Sequence, residues 1–155
     1  MSDLIGFLDR HGCFGIKHSG ETLGDHLMNT YRILRSLGAP ETICLAGGLH
    51  SIYGTNAFQR QTIDDRDKVK QEFGPTTERL AYIFGRISRP KSLEEIAGTG
   101  GILHDRLTGE PFKVSAADVW ALRLIEAANL LEQDGNLSAY PEISGTMEQC
   151  LSEVG

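Results

Sequence analysis

The sequence predicts a mostly α-helical single domain over residues 1–155, with one small β-hairpin around 102–114. Three observations carry this. Apolar residues recur at three- and four-residue spacing in several segments, as one face of a helix requires. Start and stop residues punctuate those segments at helix-like intervals. No repeat, low-complexity tract or linker divides the 155 residues, a length that suits one domain.

Residues 3–10 carry Leu4, Ile5, Phe7 and Leu8 on a short amphipathic helix, and His11 to Gly20 reads as loop. Thr22, followed three residues later by Asp25, marks a helix start. Leu23, Leu27, Tyr31, Leu34 and Leu37 form its stripe, and Gly38 stops it. Pro40 suits the first turn of a second helix running through Leu45 and Ala46 to His50. Residues 53–63 read as irregular. Asp64 or Asp65 opens a short helix ending at Phe73-Gly74, and Pro75 opens the next, with Leu80, Ile83, Phe84 and Ile87 as its stripe. Ser92 with Glu95 reads as a capping box, and Gly98 to Gly101 as a break. Thr108-Gly109 is the turn of the hairpin. Ser115 with Asp118 starts a long helix to about Gln133 that is apolar nearly all round, the mark of a helix in the middle of a domain. Pro141 to Val154 holds a last short helix.

Composition narrows the function classes. The net charge of −6, without a basic cluster, argues against nucleic acid as partner. No run approaches the ~18 apolar residues of a membrane span. The opening MSDLIGFLDR lacks a basic region followed by a long apolar stretch, so no signal peptide is expected. Cys13, Cys44 and Cys150 are odd in number and lack metal-ligand spacing, as expected of reduced thiols in a cytoplasmic protein. Nothing around Cys13 marks a base for a nucleophile.

Polar residues stand where the pattern predicts core. His26 lies one turn into the 22–37 helix. His50 closes the apolar run LAGGLHSIYGT. Glu126 and Asn129 share a face of the central helix, and Asp118 lies three turns earlier, where it also completes the capping box. Buried groups of this kind must satisfy one another, hold a metal or form an acid–base site.

Their order carries a resemblance. HLMNTYRILRSLGAPETICLAGGLHS sets His26 and His50 24 residues apart across two helices. It resembles the opening of the HD-domain superfamily of helical metal-dependent phosphohydrolases. The following DDRDKVKQEFGPTTERLAYIFGRISR and LRLIEAANLLEQ resemble the stringent-response guanosine-tetraphosphate hydrolase domain. On that match an HD-like helical bundle is implied, and Asn129 takes the position of the last metal aspartate. Ser51 stands in the place of the aspartate of the His-Asp pair, so a two-metal centre is not expected: hydroxyl and carboxamide are weak ligands for hard cations. The HSxYGT motif is also similar to that of an uncharacterised HD-like family of small bacterial proteins.

The leading expectation is a hydrolase of an anionic metabolite. In it His26, His50 and Glu126 are both the catalytic residues and the ligands of one divalent transition metal (Mn, Fe, Zn or Co). Ser51, Tyr53, Thr55, Arg60, Asn129 and His18 are the expected substrate contacts. An iron oxygenase is a minor variant, weakened because only His104 lies between His50 and Glu126. The alternatives are a metal-free acid–base enzyme (lyase, isomerase or hydrolase) on the same histidines, and a retired scaffold used for binding. A homo-oligomer is compatible with each. His104-Asp105 copies the HD letters but falls in the expected hairpin, and Gly98-Thr99-Gly100-Gly101 lacks the P-loop ending.

Overall fold

The computed structural model describes residues 3–133 and 135–154. Among them lie eight α-helices and two antiparallel strand pairs. In chain order these are α1 (Leu4–Arg10), β1 (Lys17–His18), β2 (Glu21–Thr22), α2 (Leu23–Ser36), α3 (Glu41–Gly47), α4 (Arg66–Phe73), α5 (Pro75–Arg86), α6 (Lys91–Glu94), β3 (Ile102–His104), β4 (Pro111–Lys113), α7 (Ala116–Gln133) and α8 (Pro141–Val154). The chain is therefore mostly α with small β-hairpins. No described helix is long and apolar enough to cross a membrane.

The expected caps form where short polar side chains can reach free backbone N–H groups. Thr22 Oγ1 accepts from Asp25 N at 3.1 Å, and Asp65 accepts from Asp67 N and Lys68 N. Ser115 and Asp118 make the reciprocal box, 3.1 Å one way and 3.0 Å the other. The Ser92–Glu95 expectation is corrected. α6 starts at Lys91 after Pro90, and Ser92 lies inside it with its N–H on Ser88 O. Proline at that boundary already suits a helix start, so no side-chain cap is required there. Glu94 does cap, but another helix: its carboxylate accepts from Glu142 N at 2.7 Å and Ile143 N at 3.0 Å in the first turn of α8.

The segment read as a loop before α2 contains a second hairpin. Lys17 pairs with Thr22 and His18 with Glu21. Its two-residue turn, Ser19-Gly20, has φ of 47° and 86°, the double positive φ that tight hairpins need.

Two apolar clusters make the core. One joins α2, α3, α5, α7 and α8 through Leu34, Cys44, Phe84, Leu122, Ile125 and Ile143. The other lies under α1 and α4, with Phe7, Leu8, Leu23, Leu27 and Val69. α7 buries Ala121, Leu122, Leu124 and Ile125 through Asn129, as its all-round apolar pattern implies. The GG of LAGGLH explains how α3 lies so close to its neighbours. A Cβ on Gly47 would stand 2.2 Å from Leu34 Cδ1, and one on Gly48 2.4 Å from Leu4 Cδ2. α3 ends at Gly47, and the chain continues as tight turns through His50 to Tyr53.

Candidate functional site

His26 and His50 come from two separate elements and meet. α2 supplies His26 from its first turns, and the turn after α3 supplies His50; their exposures are 0% and 2%. Their Nε2 atoms lie 3.2 Å apart. His50 Nδ1 lies 2.6 Å from Gly47 O, and His26 Nδ1 lies 2.5 Å from Glu132 Oε1 on the last turn of α7.

The partners dictate where the hydrogens sit. A carbonyl only accepts, so His50 Nδ1 carries a hydrogen. Burial, reinforced by the neighbouring His26, pushes the His50 pKa well below its ordinary value, so the ring is neutral and its Nε2 presents a lone pair. The 3.2 Å contact then requires His26 Nε2–H to donate. Burial pulls the His26 pKa down to about 4, with Glu21 opposing the shift, so this ring is neutral too and its Nδ1 is an acceptor. The Gln133 carboxamide nitrogen, 3.4 Å from the same Nδ1, can only donate and agrees with that assignment. Glu132 makes a short 2.5 Å contact with the same nitrogen. Asn29 Nδ2 steadies the other Glu132 oxygen at 3.3 Å.

His18 stacks on His26 at 4.3 Å between ring centroids and touches Phe58 at 4.9 Å. Burial lowers its pKa, and His26 adds to the shift. Glu21, on β2, brings a carboxylate oxygen to 3.9 Å from His26 Nδ1. Burial and the adjoining Glu132 carboxyl raise the pKa of Glu21. Glu21, His26 and Glu132 offer ligand atoms that lie within 4.8 Å of one another, a group able to hold a metal ion.

A cavity of about 390 Å³ opens beside this cluster. His50, Ser51, Phe84 and Asn129 line it together with Lys17, His18, Thr55, Phe58 and Arg89. Two cationic side chains and no carboxylate line it. Five buried side-chain polar atoms lack a partner among the described residues, and three of them, Ser51 Oγ, His18 Nδ1 and Glu21 Oε1, belong to this region. Buried polar atoms are normally paired, so their concentration here points to a ligand.

The expected residues divide. His18, His50, Ser51, Thr55 and Asn129 border the cavity, with His26 directly behind. Thr55 also holds its loop, accepting from Phe58 N at 2.9 Å. Three expectations are corrected. Glu126 does not join the histidines as a ligand: its oxygens are taken by Arg89 Nε at 2.7 Å and Asn129 Nδ2 at 3.0 Å. Burial raises its pKa, against the pull of the Arg89 guanidinium. Tyr53 turns away and donates to Glu78 at 2.9 Å; that buried carboxylate also takes two 2.8 Å bonds from Arg66. Arg60 is exposed and does not line the cavity.

Asp118 is held by Arg79 at 2.8 and 2.9 Å, which lowers its pKa to about 2, so it belongs to the helix cap and not to the site. Asp105 of the expected hairpin pairs with Arg86 at 2.7 Å. All three cysteines are buried and free, and burial pushes the Cys13 and Cys44 thiols up to about 11, which leaves no reactive thiolate.

Sequence reasoning missed Glu21, Glu132 and Arg89. Glu132 stands three residues after Asn129, so helical spacing alone offered the signal. Glu21 and Arg89 carried none, because a hairpin turn and a loop position them.

Among curated proteins and among solved structures, none matches the chain. A family model described as a domain of unknown function, DUF6817, matches residues 7–89. That span contains His18, Glu21, His26, His50, Ser51, Thr55 and Arg89, and stops before α7 brings Asn129 and Glu132. With more than half of its length matched, the chain belongs to the DUF6817 family.

Proposed function

We propose that the protein is an enzyme that transfers protons to and from a small anionic metabolite, with His50 facing the substrate and His26 and Glu132 behind it. The observation that carries this reading is the continuous chain from Glu132 through His26 to His50, which ends on the wall of the cavity. Both imidazoles are neutral at pH 7, so His50 Nε2 is available as a base once a substrate group displaces His26 from it. The Gly47 carbonyl and the Glu132 carboxyl fix the two ring orientations, as general-base histidines need. Lys17 favours an anionic substrate, whereas the charge of Arg89 is already met by Glu126 behind the wall, and Phe58 and Phe84 supply apolar walls for its body. Hydrolysis, elimination and isomerisation all use such a proton transfer.

The order His26, His50 and a polar residue on α7 supports an HD-like frame. The two-metal centre of that superfamily does not fit the donors present. Ser51 and Asn129 are neutral, and the charge of Glu126 is cancelled by Arg89. No step is derived through such a centre.

A second reading is a single divalent cation held by Glu21, His26 and Glu132, favoured by their ligand atoms lying within 4.8 Å of one another. There the cation would supply Lewis-acid chemistry, and His26 Nε2–H would still donate to His50. Elemental analysis together with turnover of a panel of phosphorylated and carboxylated metabolites tests both readings. Metal-free protein that turns over one of them, and loses at least 100-fold in His50→Ala, supports the first. Stoichiometric metal that disappears in Glu132→Gln supports the second. Full turnover by His50→Ala overturns the first reading.

A further inference from the structure

We infer that the substrate is a small monocarboxylate, and that Arg89 grips its carboxylate end-on through the two Nη atoms while Glu126 holds the guanidinium by Nε. This rests on the reading of the cavity beside His50 as a substrate pocket, and it names the group that the pocket recognises.

The first observation is what Arg89 leaves open. Its Nε donates to Glu126 Oε1 at 2.7 Å, and the other Glu126 oxygen accepts from Asn129 Nδ2 at 3.0 Å. Neither Nη atom of Arg89 has an acceptor among the described residues. Neither belongs to the buried side-chain atoms that lack a partner, so both reach open space. The side chain is only 9% exposed, and the space it borders is the cavity. Its guanidinium carbon lies 5.9 Å from the ring centre of Phe84, another wall residue. A guanidinium presents its donors as planar forks, and with Nε occupied the fork left is the one between Nη1 and Nη2. That fork matches the two oxygens of a carboxylate, which accept in parallel.

The second observation is charge. Glu126 cancels the charge of Arg89 without covering its Nη donors. Lys17, an exposed residue, is the other cation of the lining and forms no ion pair among the described residues. One positive charge is left over, which suits a monoanion. A phosphate monoester, at about −1.5 to −2 near pH 7, would bring more charge than this lining balances. Ser51 Oγ, buried in the same lining without a partner, is a further polar atom that the protein itself does not satisfy.

Binding decides the matter without turnover. Butyrate and benzoate, their amides butyramide and benzamide, and phenyl phosphate are titrated into full-length protein labelled with ¹⁵N at arginine, and followed by NMR. Each acid should bind at least tenfold more tightly than its amide, benzoate at least tenfold more tightly than phenyl phosphate, and the acids should shift the Arg89 Nη resonances. Arg89→Lys keeps a cation for Glu126 but loses the fork. It should weaken benzoate at least tenfold and leave benzamide unchanged. Acids that bind no better than their amides overturn the assignment, as does phenyl phosphate binding as tightly as benzoate, or benzoate affinity within twofold of native in Arg89→Lys. If Arg89→Lys does not fold, the native resonances decide alone: Arg89 Nη signals that stay still while benzoate binds overturn it. The two readings fail separately. Turnover of a phosphorylated metabolite that is lost in His50→Ala overturns the carboxylate assignment and keeps the acid–base centre, whereas carboxylates that bind as described but react equally well in His50→Ala do the reverse.

Discussion

His26 Nε2 lies 3.2 Å from His50 Nε2, although α2 and the turn after α3 carry the two residues and both are closed off from solvent. One ring donates and the other accepts, so neither can be removed without leaving a buried group unpaired. His50→Ala should lower stability by about 1–3 kcal/mol, the cost of a stranded buried donor. His26→Ala should do the same, and the two should be non-additive in a double-mutant cycle by about 0.5–3 kcal/mol. Urea denaturation of the four proteins measures this; strict additivity would mean that the contact contributes nothing.

Arg89 and Glu126 form a buried ion pair with side-chain exposures of 9% and 0%. Arg89→Met should cost about 3–5 kcal/mol, because it leaves a carboxylate buried without its cation. Adding Glu126→Leu should recover part of that loss, since the double variant buries no charge. Denaturation midpoints of the single and double variants give the comparison.

Stability should fall in acid earlier than carboxylate titration alone would cause. The His26 pKa is depressed from 6.5 to about 4 in the folded protein, and that of His50 is also lowered. A group with a depressed folded pKa is fully stabilising above its unfolded value. As pH drops below about 6.5 the unfolded chain binds the proton first, and the loss continues until the folded group titrates near 4. For His26 alone the shift corresponds to roughly 3 kcal/mol over that window. Melting temperatures between pH 7.5 and 4.5, compared with those of a His26→Gln variant, should show a flatter profile in the variant.

Tyr53 and Arg60, both expected substrate contacts, should leave ligand binding unchanged when altered. Tyr53→Phe removes the bond to Glu78 and should cost about 1 kcal/mol of stability, since Arg66 still holds that carboxylate. Arg60→Ala is a surface change and should stay within about 0.5 kcal/mol. Calorimetric titration with any ligand that the native protein binds checks the first half of this, and denaturation the second.

Gly85 lies on α5 beneath the loop that carries Thr55. A Cβ there would stand 2.6 Å from Gly54 O, which is backbone and cannot swing aside. Gly85→Ala should therefore cost about 1–3 kcal/mol as an overpacked contact, despite the better helix propensity of alanine. Ligand binding should weaken with it, as Thr55 shifts from the cavity wall.

Much of the helical layout was legible in the chain. Thr22, Asp65 and Ser115 act within one turn of their own helices, so the sequence near them is sufficient to place a start. The all-round apolar pattern of α7 likewise announced a helix with neighbours on every side. The Ser19-Gly20 hairpin leaves no mark in the sequence pattern, because two-residue strands have no periodicity to read. Ser92 misled because a capping pattern cannot show which of two adjacent starts, Pro90 or Ser92, the chain uses.

At the site, the sequence by itself determined that His26, His50, Glu126 and Asn129 would be polar groups within a core, since each interrupts an apolar stripe. Tertiary structure alone decided their partners. Spacing along one helix says which face a side chain shares, but hydrogen bonds between elements depend on distances of a few tenths of an ångström. Those distances are set by how α2, α3 and α7 pack and by a loop that returns Arg89. On that packing Glu126 is committed to Arg89, and Glu132 comes to stand behind His26.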